Sequence, residues 1–338
     1  MSEAPPIAGE AARWRLCTPS ARAGAIAVIQ LNGDIGGALG KLGIRGVEPG
    51  ELALRELGGV DRGLVARAGA ESAFLMPHGG AEVVRRLCDA LTRAGMPRGA
   101  DDTPEARFPE ARSALEARVL EALARAASPM AVDLLLDQPR RWAAWGKAEP
   151  DASTPAPHEE HSALLRRLIV PPVVVAVGGP NIGKSTLLNR LAGRSVVAVA
   201  DEPGTTRDHV GAMIDAAGLV LTYVDTPGMR PDARAPERDA ASVIPGLVES
   251  ADLVLLLGDR DSPPPEGLPA RRALRIALRS DLGPAAWPHD LAVSAVSRDG
   301  LGAMVGALRE ALVPGWALSS TLPWRFWETP GATLSPGT

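Results

Sequence analysis

The stretch GGPNIGKSTLLNRLAG at residues 178–193, preceded by Val174-Val175-Ala176-Val177, constrains this chain more than any other feature. It fits Gly-x-x-x-x-Gly-Lys-Ser between an apolar strand-like run and a leucine-rich helical run. The order has a physical reason. Glycines let successive backbone N–H groups curl around a phosphate, and the following helix N-terminus adds positive dipole. Lys184 supplies a mobile cation, and the Ser185 hydroxyl can reach a Mg²⁺ ion that keeps several phosphate and water ligands. Gly178, Asn181, Ile182, Gly183, Lys184, Ser185 and Thr186 are therefore candidate nucleotide-binding residues.

Two later motifs turn a phosphate cradle into a specific expectation. PGTTRD (203–208) is polar, and its Thr205 and Thr206 are candidates to fold over a γ-phosphate, Thr206 with a hydroxyl for Mg²⁺. YVDTPG (223–228) closes an apolar run with Asp225, the place for an acid that supports Mg²⁺, and offers the Gly228 backbone N–H. Three motifs in this order predict a P-loop GTPase fold. Guanine would ordinarily be read by Asn-Lys-x-Asp, and the chain has Leu278-Arg279-Ser280-Asp281 there. Asp281 can accept from guanine N1–H and its 2-amino group. Leu278 lacks the amide, and the aliphatic stem of Arg279 can pack on the base. Ser294 and Ala295, in SAVSRDGLG, fall where a loop contacts guanine O6. Met229 follows DTPG and cannot orient water, so another residue must.

The expected fold class is α/β: a doubly wound, mostly parallel P-loop GTPase domain preceded by a small α+β N-terminal domain and a short helical segment. Short Val/Leu runs (VVVAVG, LVLTYVD, DLVLLLG, RIAL, LAVSA) alternate with helical stretches in the second half. The expected divisions are a tail at 1–12, the N-terminal domain at 13–98, helices at 105–148, a linker at 149–167, the GTPase domain at 168–315, and a Trp-rich tail at 316–338. GAIAVIQLNG (24–33) reads as a strand and VVRRLCDALTRAG (83–95) as a helix, whereas 111–145 reads as two helices meeting near Ser128-Pro129. A formal net charge of −4 gives no general attraction to nucleic acid. Cys17 and Cys88 lack metal or disulfide spacing, no run is long enough for a spanning helix, and no signal-peptide core opens the chain. A cytoplasmic protein without membrane association is expected.

The run GGPNIGKSTLLNRLAGRSVVAVADEPGTTRD, then DTPGMR and ERDAASVIPGLVESADLVLLL, resembles the GTPase domain of the MnmE/TrmE tRNA-modification proteins. Era-like GTPases share much of it. Upstream, PSARAGAIAVIQLNG (19–33) and PHGGAEVVRRLCDALTRAG (77–95) resemble the MnmE/TrmE N-terminal domain, and 111–145 matches the first half of its helical domain. The resemblance implies that Asn181 ligates a K⁺ ion standing in for an arginine finger, and that Glu237 orients the attacking water. With Lys184, these are the candidate catalytic residues. It also implies a homodimer through the GTPase domains, a tRNA substrate and a tRNA-modification partner protein. Some family features are missing. Gln30 replaces an arginine, the stretch at 97–112 is short, and the second half of the helical domain with its Cys-x-Gly-Lys is absent. These departures argue against a folate derivative as ligand.

The leading reading is a K⁺-assisted, GTP-hydrolysing protein related to wobble-uridine modification, with GTP, Mg²⁺ and K⁺ as cofactors. An Era-like ribosome-assembly GTPase is one alternative. A degenerate switch that holds nucleotide with little turnover is another, and the Leu278-Arg279-Ser280-Asp281 replacement favours it.

Overall fold

Val173–Gly178 (VVVAVG) is apolar at every position but its last, which suits a strand covered on both faces rather than one with a wet side. In the computed structural model it forms the middle of a six-stranded sheet. The structure describes residues 11–18, 24–99, 103–147, 150–151, 154–155, 157–193, 211–226 and 244–327. Two compact units, residues 1–121 and 122–338, divide within the helix Ala114–Arg125.

The first unit is an antiparallel sheet in the order β1-β2-β5-β4-β3, from β1 (Arg13–Leu16), β2 (Ile29–Asn32), β3 (Leu52–Leu57), β4 (Asp61–Arg67) and β5 (Ser72–Met76). Ile29, Leu31, Val65 and Leu75 turn one face into a core shared with α1 (Ile35–Lys41) and α2 (Ala81–Arg93). Leu87 and Leu91, one turn apart on α2, are fully buried there, each stabilising the unit by about 2 kcal/mol. On the opposite face, Gln30 is buried with its polar atoms paired. Its Nε2 donates to the Ala106 carbonyl of α3 (Pro104–Arg107) at 2.8 Å, Asn32 Nδ2 donates to the same carbonyl at 3.0 Å, and Arg15 Nε donates to Gln30 Oε1 at 2.8 Å. A buried amide is tolerated because it is satisfied in this way.

The second unit carries the strands β6 (Val173–Gly178), β7 (Gly211–Ala216), β8 (Leu219–Asp225), β9 (Leu253–Gly258), β10 (Ala273–Leu278) and β11 (Leu291–Val293), in the order β11-β10-β9-β6-β8-β7. All neighbours are parallel except β7 and β8. Val175 and Val177 pack against Ile244 and Val248 of the helix Ile244–Ser250, while Val174 and Ala176 face the other way, as the period of two demands. The helix α8 (Lys184–Ala192) lies over β7 and β8. The doubly wound, mostly parallel sheet expected from the Val/Leu runs is present. The sequence reading missed β7. Its GAMIDA is short, and it pairs through a tight turn in which Asp215 accepts from the Gly218 N–H at 2.6 Å.

The helical segment before this sheet departs from the expected two helices. α4 (Ala114–Arg125) is followed by α5 (Ala131–Leu136) and α6 (Gln138–Ala144), because Pro139 in the first turn of α6 has no N–H with which to continue the preceding helix. The break after α4 is tied to the sheet: the Val220 N–H donates to Ser128 Oγ at 2.9 Å, and the Ser128 N–H donates to the Leu168 carbonyl at 3.0 Å. A further helix, α7 (Glu159–Arg166), leads into β6.

Candidate functional site

The cradle begins where β6 runs out of room. A Cβ on Gly178 would lie 2.5 Å from the Leu257 carbonyl oxygen, so only glycine lets β6 pass β9 at this point. Gly183 caps α8 with φ +104°, a left-handed conformation that a side chain would strain. Asn181 also has positive φ, +59°, and is exposed at the loop tip. Between them the loop turns its backbone back toward the α8 N-terminus, which leaves N–H groups and the helix dipole at one end of the sheet.

Lys184 is buried, and its Nζ donates to the carbonyls of Gly178 at 3.2 Å and Gly179 at 2.8 Å. Burial lowers its pKa, and the nearby Asp225 carboxylate partly counters that. The ammonium is thus held inside its own loop, where an arriving phosphate can recruit it. Ser185 Oγ donates to Asp225 Oδ2 at 2.8 Å, joining the start of α8 to the end of β8. Asp225 Oδ1 is buried and has no hydrogen-bond partner among the described residues. A hydroxyl beside a carboxylate with one oxygen unspent fits a hard, oxygen-liganded cation such as Mg²⁺. No group of three or more His, Cys, Asp or Glu side chains placed to hold a metal ion exists among the described residues, so a cation here would need phosphate and water oxygens as well. Next to Asp225, Thr226 Oγ1 donates to the Ala176 carbonyl at 2.8 Å and fixes the strand end; the sequence reading did not single it out.

The residues expected to read the base come from three separate segments. Leu278 is buried as the last residue of β10. Arg279 takes φ +56°, and this sends its side chain toward the cradle rather than along the strand. Its Nη2 donates to the Asn181 carbonyl, and its Nη1 lies 3.6 Å from Asp259 Oδ2. The guanidinium, not only the aliphatic stem anticipated from sequence, is therefore engaged with the phosphate loop. Asp281 is exposed on the short turn Ser280–Leu282, beside β11. Ser294 is buried, and its Oγ accepts from the N–H groups of Val296 at 3.2 Å and Ser297 at 3.0 Å. The Ala295 carbonyl accepts from Arg190 Nε of α8 at 2.9 Å, so the loop after β11 is braced by the helix that follows the cradle.

The structure thus brings Gly178, Asn181, Ile182, Gly183, Lys184, Ser185 and Thr186 into one loop and helix start. Asp225 is bonded to it directly and Arg279 through Asn181, while Asp281, Ser294 and Ala295 lie at the ends of β10 and β11. All occupy the carboxyl edge of the sheet, where open α/β folds bind ligands. Thr205, Thr206, Gly228, Met229 and Glu237 lie outside the described residues. Asp259 and Arg190 were missed; Asp259 carried a weak signal, being an acid just past the apolar run LVLLLG.

Residues 173–280 match the family described as 50S ribosome-binding GTPase. The chain is 30% identical over 364 residues to the tRNA modification GTPase MnmE of Methylobacterium radiotolerans, across 88% of this chain and 81% of that protein. It is 44% identical over 141 residues to a protein of the same name from Thermus thermophilus, and 43% identical over 144 residues to that from Acidiphilium cryptum. Those two matches span 32% and 33% of the relatives' lengths. Among solved structures, Era of Aquifex aeolicus bound to GDP.AlF4⁻ is similar over 42% of this chain and 56% of that one, at 24% identity and a TM-score of 0.32.

Proposed function

This chain belongs to the MnmE family of GTPases, and from that premise we propose that it binds and hydrolyses GTP with Mg²⁺ and K⁺, in a role related to wobble-uridine modification of tRNA. The observation that carries the reading is the junction of Lys184 in its loop with the Ser185–Asp225 pair. The cradle's N–H groups and Lys184 hold the β- and γ-phosphates, a task that needs positioning and charge more than covalent chemistry. Ser185, Asp225 and Thr206 would hold Mg²⁺, which when bound neutralises charge on the phosphate oxygens. Asn181 would hold K⁺, which would supply positive charge to offset the negative charge that develops on the phosphates. Glu237 orients the attacking water through its carboxylate. Asp281 selects guanine, with Ser294 and Ala295 beside O6. Homodimerisation through the GTPase domains, binding of tRNA, a partner protein in the modification step, and a cytoplasmic location belong to the same reading. Among the described residues no helix is long and apolar enough to cross a membrane.

Steady-state hydrolysis of GTP and ATP, in K⁺ and in Na⁺ at equal ionic strength, tests it. GTP turnover should rise sharply in K⁺, ATP should turn over poorly in both, and Glu237→Ala should abolish the K⁺-dependent rate. Equal turnover in both salts would remove the role given to Asn181. No turnover at all, with GTP still bound, would favour the switch that holds nucleotide without hydrolysing it, for which the altered guanine-reading segment at 278–281 speaks.

A further inference from the structure

The loop after β11 is organised around Ser294, which is fully buried and spends both of its oxygens inside the loop. Its Oγ accepts from the N–H groups of Val296 and Ser297, and its carbonyl accepts from the Arg298 N–H at 2.9 Å. The Ser294 N–H donates to the Asp299 carbonyl at 3.0 Å, and the Ser297 hydroxyl donates to Asp299 Oδ2 at 2.6 Å. Arg298 and Gly300 both take positive φ, +72° and +73°. A Cβ on Gly300 would lie 2.1 Å from the Ala292 carbonyl oxygen, so the loop closes tightly against β11. These bonds use the N–H groups of Ser294, Val296, Ser297 and Arg298. Among the described residues none accepts from the N–H of Ala295, which is only half-buried.

Ala295 is pinned from both sides. The peptide before it is fixed through the Ser294 carbonyl, and because a peptide is planar and trans, the Ala295 N–H points away from that bond. The peptide after it is fixed through the Ala295 carbonyl, which accepts from Arg190 Nε at 2.9 Å. The first tie is local to the loop. The second comes from a side chain 105 positions earlier, in the second turn of α8. Without Arg190 the backbone at Ala295 would be held from one side only.

In the reading proposed above, Asp281 takes guanine N1–H and the 2-amino group, and Leu278 offers no amide, so O6 is left to this loop. A single N–H selects an acceptor well only when its direction is set before the nucleotide arrives. The geometry points to Arg190 as a positioning residue for guanine. By holding the Ala295 carbonyl it aims the Ala295 N–H at O6, and it ties base selection to the helix that carries Lys184 and Ser185. This inference rests on the GTP reading and names the side chain that keeps its O6 contact in place.

The test is competition of GTP, 6-thio-GTP and ITP against a fluorescent nucleotide on the full chain. The thio compound replaces O6 by sulfur, a weaker acceptor, and ITP lacks only the 2-amino group. Two substitutions separate the hydrogen bond from the charge. Arg190→Met keeps a stem of similar length without a donor, whereas Arg190→Gln places an amide N–H as many bonds from the backbone as the arginine Nε. Wild type should prefer GTP over 6-thio-GTP by about two- to ten-fold, the range of one neutral hydrogen bond. Arg190→Met should bring that ratio close to one and leave the GTP/ITP ratio, set by Asp281, unchanged. Arg190→Gln should keep both ratios. A preference over 6-thio-GTP that persists in Arg190→Met would overturn the proposal, as would its loss in Arg190→Gln. Equal weakening toward all three nucleotides in Arg190→Met would also overturn it, because Arg190 would then only support the fold. A wild type that prefers GTP to ATP yet does not distinguish 6-thio-GTP would remove the O6 contact, and the proposal with it, while the GTP reading stands. Failure to bind any of the three would sink that reading as well.

Discussion

The two ends of the nucleotide cleft are built by different means. The phosphate end is one continuous stretch, Gly178 to Thr186, in which Gly178 and Gly183 are required by close approach and by positive φ. The base end draws on Asp259, Leu278 to Asp281, and Ser294 with Ala295, which meet only because β9, β10 and β11 lie side by side. The first has little freedom to change, since each backbone N–H must point inward at once. In the second, Leu278 is buried at the end of β10, in the segment proposed to read the base, and Arg279 reaches back to bond the cradle at Asn181. A site can keep its charge-binding geometry while its specificity surface drifts, because the former rests on backbone and the latter on single side chains.

Substitutions should rank accordingly. Lys184→Ala removes the buried cation of the cradle and should lower GTP turnover by at least about 100-fold, read in steady-state assays. Its melting temperature should hold or rise, because a desolvated charge is lost with it; a collapse in stability would mean that Lys184 is chiefly a structural tie. Asp281→Asn should cost about 1.5–3 kcal/mol of GTP affinity and leave ATP affinity unchanged, measured by competition against a fluorescent nucleotide. Equal losses for both nucleotides would show that Asp281 does not read the base.

Leu278→Asn tests this segment from the other side. It should raise the preference for GTP over ATP by roughly 2–10-fold through one neutral hydrogen bond, and lower stability by about 2 kcal/mol because a buried leucine becomes polar. An unchanged preference would mean that the amide position no longer faces the base. Arg279→Ala should have the smallest effect. Its pair with Asp259 is half exposed, so the expected loss of affinity is about five-fold or less. A loss as large as that of Lys184→Ala would make Arg279 part of the phosphate machinery, and the contrast between the two ends would fail.

Legibility followed the same divide. The Val-rich β6, the glycines around it and Asp225 at the end of β8 could be read directly, because strand, loop and helix start are contiguous. β7 was missed, since six residues of mixed polarity look like a strand only when β8 lies beside them. The second of the two helices expected at 111–145, after Ser128-Pro129, is broken by Pro139, a signal that was present but was outweighed by the Ala/Leu spacing around it.

By itself, the sequence determined the phosphate cradle, because backbone curvature set by Gly178 and Gly183, and the cation of Lys184, are local properties of neighbouring residues. Only the tertiary structure decided the rest. It drew Arg279 onto the Asn181 carbonyl, placed Ala295 under Arg190, and laid Ser320 to Arg325 along Gln138, Arg141, Ser162 and Arg166. Those partners are polar side chains distant in sequence, and no periodicity marks them. Where they are buried, as at Trp324 and Arg325, the pairing is enforced because an unsatisfied donor costs more than a chosen contact gains.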